Sequence, residues 1–242
     1  MGFSENVRSA FRRSETDAVV RMSEAEIKRA QAAGDPAGEV EARYSLARVA
    51  IRGGDLAGGE ARAREALEVA QRSGDRSLEE RPRHVLAAVA RMSGDLFRAR
   101  DLYWESIALN EALGQPETVN SEYHNLAFCE LGLGNLDAAR TLFAENRDRV
   151  FRNAWADFVP YVCVAGAALA SAEGDHSRAA RMIGVADAAF AAVGQVPDPD
   201  DAADLARMRA AATEALGPAA FDEEYAVGQR LEPKTAFGYD ER

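Results

Sequence analysis

Glycine recurs along this chain on a fixed grid, and the grid leaves little choice of architecture. Gly54-Asp55, Gly94-Asp95, Gly134-Asn135 and Gly174-Asp175 follow one another at 40-residue intervals, and Gly34-Asp35, Gly74-Asp75, Gly114-Gln115 and Gly194-Gln195 repeat that spacing displaced by 20. One rung of the second series is missing, near Asn153-Ala154. Glycine supplies the left-handed residue that ends a helix, and a following Asp or Asn can cap the next helix through its first free N–H groups. Between the glycines, apolar residues recur at helical spacing, as in Leu46, Val49, Ala50 and Ile51 or Leu86, Val89, Ala90 and Met92, without strand-like alternation. Pro36 and Pro116 stand where helices begin, a position that tolerates their missing N–H. Each 40-residue unit therefore reads as two antiparallel helices of about 16 residues, about 24 Å long. One hairpin cannot hide its apolar face, so neighbouring hairpins must cover one another, which predicts an all-α solenoid of about eleven helices.

Packing positions follow the same grid. A small residue stands five after the glycine in Gly59, Ala99, Ala139 and Ala179, and a bulky one nine after it in Tyr103, Phe143 and Ile183. The ends differ from the middle. Residues 1–14 read as an N-terminal capping helix closed by a Ser14-x-x-Asp17 capping box, 15–195 as the repeat array, 196–231 as C-terminal capping helices and 232–242 as a loose tail.

The order Leu-Ala, then Gly-Asp or Gly-Asn, then alanine and a bulky residue resembles the tetratricopeptide repeat, carried here by Leu46-Ala47, Leu86-Ala87 and Leu126-Ala127. The fourth unit departs with Gly166-Ala167, and the 40-residue period departs from the usual 34. In both length and closing segments, Arg178 to Asp187 and Ala220 to Leu231, the chain resembles the C-terminal arrays of large LuxR-type bacterial transcriptional regulators. The resemblance implies a right-handed superhelical solenoid whose inner surface, lined by the first helix of each hairpin, binds a peptide or partner protein. The regulator likeness implies an alternative, a sensory module that binds a small effector.

Composition excludes several other classes. Of 242 residues, 29 are Lys or Arg and 40 are Asp or Glu, giving a net charge of −11; such a chain is not drawn to nucleic acid or anionic lipid by bulk charge. The longest charge-free run, Phe158 to Ala172, contains Pro160 and is too short to span a membrane, so it reads as a buried helix. No secretory signal pattern is visible, and Cys129 and Cys163 are too few for a disulfide framework, which places the protein in the cytoplasm. No phosphate-binding loop is present, because neither lysine follows a glycine-rich turn. His84 and His124 occupy the same position in adjacent repeats, about 10 Å apart at normal helix spacing, with no third ligand evident. His124 lies on a different helix face from Cys129, so the pair does not form a nucleophile and base. Neither an enzyme, nor a cofactor, nor a metal centre is expected.

The candidate site is the inner surface. Ten residues before each glycine stand Tyr44, His84, His124 and Val164, and six before stand Arg48, Ala88, Phe128 and Ala168, bordered by Arg52, Arg81 and Arg91. Two readings of the arginines stand: they pair with Glu41, Glu79 and Glu80 on a solvated surface, or they form a groove for a carboxylate or acidic peptide. Tyr44, Arg48, His84, Arg91, His124 and Phe128 are the candidate groove residues. The sequence leaves oligomeric state open, a homodimer included.

Overall fold

The computed structural model describes residues 2–239. Among them there are thirteen α-helices, two 3-10 turns and no strand. The helices are α1 (Phe3–Arg12), α2 (Thr16–Ala33), α3 (Pro36–Arg52), α4 (Leu56–Ser73), α5 (Glu80–Met92), α6 (Leu96–Ala112), α7 (Pro116–Gly132), α8 (Leu136–Arg152), α9 (Val159–Ala172), α10 (His176–Ala192), α11 (Pro199–Leu216), α12 (Pro218–Gly228) and α13 (Pro233–Ala236). They fall into two compact units, Met1–Glu122 and Tyr123–Arg242, with the boundary inside α7.

The grid is a grid of left-handed residues. All eight of its glycines have φ between 62° and 84°. The two non-glycine residues with positive φ among the described residues are Ser14 (59°) and Ala154 (53°), and both sit on the same 20-residue spacing. Ala154 is the missing rung, and Ser14 extends the series by one hairpin. The backbone closes identically at each: Glu15 N donates to Ala10 O at 2.9 Å and Trp155 N to Val150 O at 3.1 Å, as Asp55 N donates to Ala50 O at 2.9 Å. That closure needs a left-handed residue whatever its side chain. Ser14 is therefore a helix terminator and not the expected capping residue; α2 starts after Glu15 with no side-chain cap. On the true Gly-Asp rungs the caps form, Asp55, Asp95 and Asp175 accepting the N–H groups of Gly58, Arg98 and Arg178.

A left-handed conformation costs an ordinary L-residue about 1–2 kcal/mol, partly offset by the extra unfolded-state freedom of glycine. Ser14→Gly and Ala154→Gly should each stabilise the fold by about 0.5–1 kcal/mol, whereas Gly54→Ala or Gly94→Ala should destabilise it by about as much. Urea denaturation of the four variants gives the signs.

In the first unit, α1 and α2, α3 and α4, and α5 and α6 pair as hairpins, and each first helix also meets the next, α1 with α3 and α3 with α5. Val7, Phe11 and Val19 form one small core, and Ala47, Ile51, Ala63, Val85, Leu86 and Val89 the next. The small residues let the helices approach: a Cβ on Gly59 would lie 2.6 Å from Ile51 Cγ1.

The second unit has a larger core, centred on α9 and α10 and closed by α11 and α12. The charge-free run is the buried helix its composition predicts, with Val162, Val164, Ala167 and Ala170 all buried along α9. The expectation of a loose tail over 232–242 is corrected for residues up to 239; 240–242 lie outside the described residues. Pro233 starts α13, which brings Phe237 and Tyr239 onto the Phe151 ring at 6.0 and 4.9 Å between centroids. Phe237 also explains why the fourth repeat lacks the usual leucine. A Cβ on Gly166 would stand 2.9 Å from the Phe237 ring and 2.8 Å from Met182 Cε, so the tail occupies the space a side chain would need.

Candidate functional site

The six candidate residues divide between the units, and each unit treats them differently. In the first unit, Tyr44 and Arg48 lie one turn apart on α3, both half-buried. The Arg48 guanidinium stacks 3.8 Å from the Phe11 ring centroid, and Arg52 stacks on the same ring at 3.5 Å while donating to the Phe11 carbonyl at 2.5 Å. These two arginines therefore hold α1 in place, a role the sequence reading did not assign them. Arg81 sits 5.2 Å from the Tyr44 ring centroid and pairs with Glu41, while Arg83 binds Glu79 at 2.8 Å and Glu105 at 3.1 Å. Arg91 is 8% exposed, too buried to border an open groove.

His84 turns towards α7. Its Nδ1 lies 3.1 and 3.2 Å from the two carboxylate oxygens of Glu122, which also accepts the Ser106 hydroxyl at 2.8 Å. Glu122 and Ser106 are both fully buried and His84 is 28% exposed at its side chain. A serine, a histidine and a carboxylate thus meet, but the carboxylate stands between the other two. The hydroxyl donates to the carboxylate and is closed off from substrate, so the arrangement ties α5 and α6 to α7 and does not present a nucleophile. Sequence reading missed Glu122, although a signal existed. Twelve residues before each Gly-Asp or Gly-Asn glycine stand Ala42, Pro82, Glu122 and Val162, all buried. A lone carboxylate in an apolar column needs internal partners.

In the second unit His124 and Phe128 are core residues, 5% and 7% exposed, and the expectation that they line an accessible groove is corrected. His124 Nε2 lies 3.2 Å from Asp201 Oδ1, at the first turn of α11, and its ring meets Phe128, Phe143 and Tyr161 edge-on at 5.0, 6.1 and 6.2 Å. Tyr161 donates to Asp198 at 3.3 Å. The negative ends of Asp198 and Asp201 thus anchor the start of α11 against α7 and α9, where the helix dipole favours them. A column drawn by repeat register assumes that each hairpin has the same neighbours, and α11 breaks that assumption. Val164 and Ala168, in the same two columns, are also buried.

Among the described residues, no group of three or more His, Cys, Asp or Glu side chains could hold a metal ion, and no helix is long and apolar enough to cross a membrane. Neither cysteine is in a disulfide among the described residues, and both are buried. Burial pushes the Cys163 thiol up to about 12, so it stays protonated at neutral pH and is a poor nucleophile.

What remains partly open in the first unit is a cleft of about 370 Å³ between α1, α2, α3 and the turn entering α5, with Glu41, Glu80 and Arg81 in its wall.

No family model matches the chain, and no curated protein matches it. Among solved structures, the crystal structure of BtubC (BKLC) from P. vanneervenii is similar, with a TM-score of 0.57 and 20% identity, covering 96% of this chain and 92% of that one. At that identity the likeness is one of fold.

Proposed function

We propose that this protein is an interaction scaffold of the tetratricopeptide type, holding a peptide or partner protein against the first-helix side of its first unit, in the cytoplasm, where Cys129 and Cys163 remain reduced thiols. The observation that carries the reading is the cleft beside α3 and α5, which places Glu41, Glu80 and Arg81 at an opening of about 370 Å³, with the Tyr44 ring against Arg81. Elsewhere the groups able to do chemistry are spent on each other: His84 on Glu122, His124 on Asp201, Ser106 on Glu122. A stack of hairpins whose reactive groups are committed to one another suits recognition better than catalysis.

The regulator-like closing segments support the effector-sensing alternative less. Arg178 to Asp187 and Ala220 to Leu231 pack on each other through Arg181 to Glu224 at 2.6 Å and Tyr225 to Asp187 at 2.8 Å, which closes the second unit.

With only Lys28 and Lys234, amine cross-linking would see little of this surface. A photo-reactive phenylalanine at position 44, with a second at exposed Glu223 as control, tests the proposal in lysate of the native organism. Capture of one discrete protein at 44 and not at 223 is expected. Equal capture at both positions, or none at 44, contradicts it.

A further inference from the structure

The cleft of the first unit has an uneven charge balance. Its wall includes Phe3, Glu26, Asp35, Glu41, Glu80 and Arg81. Glu26 and Asp35 share Arg29, and Glu41 takes Arg81. Four carboxylates therefore face two guanidiniums, and the most loosely paired of the four is Glu80. It pairs with Arg81 Nε only at 3.8 Å, it accepts no hydrogen bond among the described residues, and its side chain is only 17% exposed.

A carboxylate held like this is unfavourable for the fold. Burial raises its pKa above the ordinary glutamate value, Glu122 from α7 and Glu41 from α3 push the same way, and His84 and Arg81 on α5 only partly oppose them. Because the folded-state pKa is raised, the penalty is absent where Glu80 is protonated in both states and grows as pH rises through the glutamate range towards neutrality. Groups that destabilise the fold are a recurring mark of binding sites. The wall also shows how it treats a cation, since Arg81 is gripped between the Glu41 carboxylate and the Tyr44 ring.

We infer that this cleft receives the ammonium or guanidinium side chain of a basic peptide segment, with the Glu80 carboxylate as its ion-pair partner and Phe3 as an apolar wall. This rests on the scaffold reading above and specifies the charge of the partner. It also reverses the expected preference for an acidic peptide, because Arg81, which was to border such a groove, is already paired with Glu41, Arg91 is buried, and Arg48 is stacked on Phe11.

The test is fluorescence anisotropy of the full chain at low ionic strength with fluorescein-labelled Gly-Arg-Arg-Arg-Gly and Gly-Glu-Glu-Glu-Gly. The variants are Glu80→Gln and, as a control for net charge, Glu214→Gln on the exposed face of α11. The arginine peptide should bind, weaken roughly tenfold in Glu80→Gln, keep its affinity in Glu214→Gln and lose it on acidification as Glu80 protonates. Glu80→Gln should meanwhile melt at or above the wild-type temperature at neutral pH, which separates lost binding from lost folding. Equal weakening by the two variants, tighter binding of the acidic peptide, or no binding of the arginine peptide overturns the assignment. If a partner is still captured at position 44 in that case, the scaffold reading survives without the cleft; if the arginine peptide depends on Glu80 but nothing is captured, the reverse holds.

Discussion

Replacing Gly228 by alanine will cost the second unit about 3 kcal/mol or more. A Cβ at that position would lie 1.9 Å from the carbonyl oxygen of Arg181 and 2.8 Å from its carbon. The crossing is tight from both sides, since a Cβ on Gly184 would stand 2.2 Å from Tyr225 O and 3.0 Å from Gln229 N. Every atom met first is backbone, so no rotamer change relieves the clash, and α10 and α12 must move apart. That movement would loosen the Tyr225 to Asp187 and Arg181 to Glu224 contacts together with the burial of Phe221. Overpacking in ordinary cores costs about 1–3 kcal/mol, where side chains can yield; here they cannot. In a solvent-facing helix the same change would be favourable by up to about 1 kcal/mol, so even the sign is diagnostic. Urea denaturation of Gly228→Ala and Gly184→Ala, both expected to lose stability, checks the crossing.

Removing the Glu122 side chain should have the next largest effect. In Glu122→Ala the Ser106 hydroxyl and the His84 Nδ1 lose their shared acceptor, and a cavity opens at a fully buried position. A stranded buried polar group costs about 1–3 kcal/mol, and truncation of a buried side chain adds a further cavity penalty, so a loss of about 3 kcal/mol is expected. Glu122→Gln keeps the volume and one acceptor oxygen and should lose only about 1 kcal/mol. If the two variants were equally destabilised, the hydrogen-bonded carboxylate would not be what ties α5 and α6 to this helix; denaturation curves of both decide.

Most of the architecture was legible because it is periodic. The glycines at 34, 54, 74, 94, 114, 134, 174 and 194 mark real left-handed helix ends, and the small and bulky positions Ala99, Tyr103, Ala139, Phe143, Ala179 and Ile183 are all buried as their register predicts. What escaped is what breaks the period. Ser14 and Ala154 hold the left-handed position because the chain on both sides closes the same helix end, a demand that composition does not reveal. Phe237 and Tyr239 carry the apolar surface that docks the tail, but from sequence nothing marks Gly166 as the space left for one of them. The candidate site was read by column, and columns describe only the middle of an array. Tyr44 and His84 stay half-exposed in the first unit; His124 and Phe128 are covered because Asp201 and the aromatic rings of α8 and α9 close over them. Arg48 faces the expected side but spends its charge on Phe11. The carboxylates proved more informative than the arginines, since pairing is visible only once the helices are placed.

Each hairpin is held by its sequence neighbours, so the fold is an array and not one shared core. Native-state hydrogen exchange, read by mass spectrometry on wild type and Gly228→Ala, tests it most directly. The array predicts that protection falls in α9, α10, α11 and α12 while α1 to α4 exchange as in wild type. Loss of protection spread evenly over all the helices would show a single cooperative core and contradict it.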